Sequence, residues 1–129
     1  MIAGVEHIGI AAKDTTALAK WYCEVLGFRI ISQSKDTPPN YFLAAPDDSM
    51  LEVIAANQNP PAKHEARDAG IRHIALTVKD FDRAVAELKR KGVTFAGKVV
   101  ALPAGGNVVF FTDPEGNLLH LVHRPEPLV

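Results

Sequence analysis

Gly4-Val-Glu-His-Ile-Gly-Ile10 returns further along the chain as Gly70-Ile-Arg-His-Ile-Ala-Leu76. Each copy is a short apolar run carrying one histidine at the same place, and His7 and His73 stand 66 positions apart. A second echo supports the first. Pro46-Asp-Asp-Ser-Met-Leu-Glu52-Val aligns with Pro114-Glu-Gly-Asn-Leu-Leu-His120-Leu at an offset of 68. Two anchors with nearly one offset imply a duplicated unit of about half the chain, and an internal repeat governs every later reading of a sequence.

Local signals fill in that unit. Residues 5–12 read as a strand, and Asp14 or Thr15 offers a side-chain oxygen to the orphan N–H groups at a helix start. Apolar residues at helical spacing (Leu18, Trp21, Tyr22, Val25) mark a helix over 16–26, and Gly27 ends it. Strands at 28–34, 41–45 and 50–56 follow, separated by a Pro38-Pro39 loop and a turn over 46–49. The unit is βαβββ.

A polar stretch over 57–69 containing Pro60-Pro61 links the units, and the order then repeats. Strand 71–78 leads to a helix over 81–91, capped by Asp80 and ended by Gly92. Strand 93–96, a flexible, lid-like loop over 97–106, strand 107–112, a turn over 113–116 and strand 117–123 complete the second unit. The expected architecture is α+β. It is one domain over 1–129, with modules at about 4–56 and 70–124 whose mixed sheets curve around a cavity, the helices outside.

Bulk composition narrows the function. The 129 residues suffice for a real core, and 47% hydrophobic with 22% charged is an ordinary globular balance. A net charge of −1 argues against a nucleic-acid or anionic-membrane surface. The one cysteine, Cys23, leaves no intrachain disulfide and fits a reducing compartment. With no signal-peptide pattern and no long apolar run, the expected location is the cytoplasm.

In a strand alternate side chains face opposite sides, so His7, Glu52, His73 and His120 are each a polar group on a mostly apolar face. Such a group is costly to bury unless it is paired or bound to something. A lone strand histidine is most often structural, and as a network these four could simply hydrogen-bond one another. The duplication favours a different reading: pseudo-twofold symmetry brings equivalent positions together, and three imidazoles with one carboxylate make a transition-metal site. His64 falls in the polar linker, His123 faces away from His120, and Cys23 falls in the helix pattern; none joins the set.

HIGIAAKD at His7 to Asp14, WYCEVLGF at Trp21 to Phe28, HIALTVKD at His73 to Asp80 and FTDPEGNLLHLV at Phe111 to Val122 carry a family resemblance. Over about residues 4–124 the chain resembles the vicinal oxygen chelate superfamily, which includes glyoxalase I, bleomycin-resistance proteins and extradiol dioxygenases. The resemblance implies paired βαβββ modules around a divalent metal ion (Ni, Zn, Co, Mn or Fe) with two positions open to a substrate's adjacent oxygens. It places the ligand positions on His7, Glu52, His73 and His120, and it implies a homodimer.

One departure bears on mechanism. Glyoxalase I carries a glutamate at the final ligand position, where it transfers a proton; this chain has His120. Glu52 is then the nearest candidate base. The expected function is a metal-dependent lyase or isomerase of glyoxalase type acting on a small molecule. A non-haem iron dioxygenase and a metal-independent drug-binding protein are the alternatives.

Overall fold

Helix α1 (Thr15–Leu26) starts where its cap requires. The Asp14 carboxylate accepts from the Ala17 N–H, and Gly27, at φ 77°, takes the left-handed conformation that stops the helix. Leu18, Ala19 and Tyr22 project from one side of it and are buried. The structure is a computed structural model that describes all 129 residues. It divides into two compact units, Met1–Pro61 and Ala62–Val129, with the boundary inside the proline-bearing linker.

In the first unit β1 (His7–Ala12), β2 (Arg29–Gln33), β3 (Tyr41–Ala44) and β4 (Met50–Ala55) accompany α1. The spatial order is β1-β4-β3-β2. Parallel neighbours need a long crossover, and α1 with the two strands after it supplies one, so β1 lies parallel to β4 while β4, β3 and β2 run antiparallel. The second unit repeats this with β5 (Ile74–Thr77), α2 (Phe81–Arg90), β6 (Ala96–Ala101), β7 (Asn107–Thr112) and β8 (Leu118–His123). Its order is β5-β8-β7-β6. The α+β class and the βαβββ modules are as the sequence implied, each module holding its own four-stranded sheet.

Alternation decides which side of each sheet makes the core. Ile10 and Ala12 of β1, Tyr41 and Leu43 of β3, and Leu51 and Val53 of β4 are all buried. Leu119 and Leu121 of β8 are their counterparts in the second unit, beside Val109 and Phe111 of β7. Phe81 and Leu88 are the buried residues of α2, whose start is capped by the Asp80 carboxylate. No helix is long and apolar enough to cross a membrane.

Two expectations need correction. The strand expected to begin at 93 begins only at Ala96: β6 runs Ala96–Ala101, through the first half of the segment read as a flexible lid. Gly97, at φ 74°, sits where the β6–β7 register shifts, so the glycine marks a bulge within a strand rather than a loop. The turn that remains is hydrogen-bonded, with Leu102 N–H donating to the Gly106 carbonyl and Gly105 N–H to that of Leu102. The strand expected from 71 begins only at Ile74, because the parallel ladder starts with the Ile74–Leu119 pair. His73 therefore stands on the run-in to β5.

Candidate metal-binding site

Register places the first-unit pair. His7 opens β1, and Glu52 in β4 lies opposite Gly9 of β1 and Phe42 of β3. Their side chains approach on one face, with His7 Nε2 3.8 Å from Glu52 Oε1. The other ring nitrogen, Nδ1, is 3.0 Å from Glu6 Oε1. A carboxylate only accepts, so Nδ1 donates to Glu6, while Nε2 faces the Glu52 carboxylate at a distance beyond hydrogen-bond range.

The second unit builds the equivalent pair. His120 in β8 lies opposite Ala75 of β5 and Phe110 of β7, in the same relation as Glu52 to Gly9 and Phe42. The His73 and His120 ring centroids are 4.7 Å apart. His120 Nδ1 donates to the Leu121 carbonyl at 3.2 Å, which leaves Nε2 as the free acceptor. His120 is buried, and burial holds its imidazole below the ordinary histidine value. The Leu121 hydrogen bond opposes that shift, and His73 and Arg124 add to it. The neutral form so favoured is the one that ligates metals.

Donor chemistry and spacing both fit a divalent ion. Two atoms each ~2.1 Å from one ion lie roughly 3.0–3.4 Å apart, so the 3.8 Å pair needs only a small side-chain adjustment. Each unit brings two of the four side chains together, and the structure shows no cluster of three or more histidine, cysteine or acidic side chains that could hold a metal ion. Small residues at Gly9 and Ala75 stand across from Glu52 and His120, and a side chain built at Gly9 would meet nothing within 4 Å.

The residues left out of the set stay out of these pairs. His64 is exposed, and His123 Nδ1 donates to the Val78 carbonyl at 3.1 Å. Cys23 lies on α1, where burial and then Glu24 push its thiol up. Sequence reasoning missed Glu6, Phe42 and Phe110. The ring of His7 meets Phe42 at 5.2 Å, that of His73 meets Phe110 at 5.8 Å, and that of His120 meets Phe110 at 4.9 Å. A signal for them existed, since Phe42 and Phe110 are separated by the same 68 positions as Glu52 and His120.

Two βαβββ units, each with its own four-stranded mixed sheet, define the class of fold. The chain belongs to the glyoxalase/bleomycin resistance protein/dioxygenase superfamily, whose model matches residues 4–121. It is 30% identical to the protein YaeR of Escherichia coli (strain K12), over 93% of this chain and 95% of that one. It is 25% identical to lactoylglutathione lyase GLX1 of Arabidopsis thaliana, over 94% of this chain and 45% of the longer plant protein. The crystal structure of a glyoxalase family protein from Enterococcus faecalis superposes with a TM-score of 0.79 at 24% identity, covering 93% of this chain and 97% of that one.

Proposed function

We propose that this chain is a metal-dependent lyase or isomerase of glyoxalase type. It moves a proton α to a carbonyl in a small substrate with adjacent oxygens. His7, Glu52, His73 and His120 are the residues that would hold a divalent ion. The observation that carries this reading is the pairing itself: in each unit a histidine at the start of the first strand or on its run-in stands beside a fourth-strand donor, His7 beside Glu52 and His73 beside His120. Similarity to a plant lactoylglutathione lyase supports the reaction class.

A bound divalent ion supplies Lewis acidity to a pair of substrate oxygens. Three neutral imidazoles and one carboxylate leave that ion a net single positive charge, which suits an anionic oxygen pair. Glu52 is the one acidic side chain among the four and takes the proton. Glu6 and the Leu121 carbonyl hold the Nδ1 protons of His7 and His120, which keeps both Nε2 atoms free to ligate. The same reading makes the protein a cytoplasmic homodimer. The outer strands β2 and β6 are exposed along their whole length, and open strands of this kind favour cover by another chain.

Metal analysis of the purified protein, joined to turnover of a hemithioacetal, tests the proposal. About one nickel, zinc or cobalt ion per four-ligand site is expected, most of it lost in His73→Ala and retained in His64→Ala. Equal loss in both variants refutes the ligand set. Iron with oxygen uptake and no proton transfer refutes the reaction class.

A further inference from the structure

Histidine is poorly suited to wait for a metal on an open strand face. Its χ2 torsion joins an sp³ to an sp² carbon and has broad, roughly two-fold wells, so the ring plane turns easily unless something stops it. Each turn of the ring swings Nε2 away from the partner donor. A ligand pair of this kind therefore needs a brace within its own unit.

Both units contain one at the same place. Phe42 of β3 is the cross-strand partner of Glu52, and Phe110 of β7 is that of His120. Phe42 stands at 87° to the ring of His7, with centroids 5.2 Å apart. Phe110 stands at 90° to His73 and at 60° to His120, with centroids at 5.8 and 4.9 Å. Steep interplanar angles at these separations are the favoured arrangement of aromatic pairs. Neither phenylalanine is part of its unit's fully buried core.

We infer that Phe42 and Phe110 are positioning residues that fix the histidine ring planes of their own units for metal ligation. The inference rests on the metal reading above. The braces are unequal. His7 is held at Nδ1 by Glu6 as His120 is by the Leu121 carbonyl, but the first unit has one ring to orient, since the partner of His7 is Glu52, whereas the second has two. In the second unit a single side chain, Phe110, lies against both histidines. Phe110 carries more of the alignment.

The test replaces the ring while keeping an apolar side chain of similar bulk. Ni²⁺ and Zn²⁺ affinity is measured by titration calorimetry for wild type, Phe110→Leu, Phe42→Leu and Phe110→Tyr, with thermal unfolding as the control for folding. Phe110→Leu is expected to weaken metal binding by about tenfold, the low end for groups that orient a ligand. Phe42→Leu should weaken it less, and Phe110→Tyr should restore near wild-type affinity. In metal-free protein, NMR should show the ring protons of His73 and His120 displaced by the Phe110 ring current, and that displacement should vanish in Phe110→Leu. Wild-type affinity in Phe110→Leu overturns the inference and leaves the metal reading intact. Absence of metal uptake by wild type overturns the metal reading, and ring-current shifts unchanged in Phe110→Leu overturn the alignment on their own.

Discussion

Gly106→Ala should be among the most damaging single-methyl additions in the second unit. Gly106 has φ 92°, a conformation that L side chains rarely adopt, and a Cβ built there would lie 2.0 Å from the His123 carbonyl oxygen. It would also lie 3.0 Å from the His123 carbonyl carbon and 3.2 Å from the Arg124 Cα. All three are backbone atoms and cannot swing aside as a flexible side chain would. Relief requires β7 and β8 to part at the Asn107–His123 pair, which loosens the ladder that sets Phe110 opposite His120. The left-handed backbone costs an alanine about 1 kcal/mol, and the disrupted strand end adds about 2 kcal/mol more. Gly97→Ala is the matched control: φ is 74°, yet nothing lies within 4 Å of its Cβ, so only the conformational cost of about 1 kcal/mol applies. At about 4 °C per kcal/mol, thermal unfolding should fall by about 12 °C for Gly106→Ala and about 4 °C for Gly97→Ala. Equal losses in the two variants would refute the close-approach argument.

Two further outcomes follow from His120. Its imidazole is held below the ordinary histidine value by burial, so below about pH 6.5 the unfolded chain binds a proton that the folded chain resists. Its contribution is therefore fully present above that pH and is lost as pH falls through the depressed folded value. Urea unfolding of metal-free protein at successive pH values from neutrality downward should show this decline, and His120→Gln should flatten it. His120→Glu restores a carboxylate at the last ligand position, and turnover of a hemithioacetal should rise roughly tenfold or more, since a positioned base contributes ~10²–10⁴. A ligating imidazole has no free lone pair for the proton, whereas a carboxylate keeps one. The comparison is made at matched metal occupancy, and no gain in the variant would sink the proposed loss of a base at position 120.

The repeat and both helix caps were legible from residue order because they depend on local chemistry. Asp14 and Asp80 cap helices through side-chain oxygens a few residues from the N–H groups they serve, and Gly27 stops a helix through its own φ. Strand alternation likewise needs no partner: it separated His7 from Ile10, and Glu52 from Leu51 and Val53, before any fold was known. Local reading failed where a residue's meaning came from across the sheet. Gly97 looked like a loop residue because the β7 partner that turns it into a bulge lies beyond the next turn. Phe42 and Phe110 carried no local mark, and only the β3–β4 and β7–β8 registers set them opposite Glu52 and His120 and against the histidine rings.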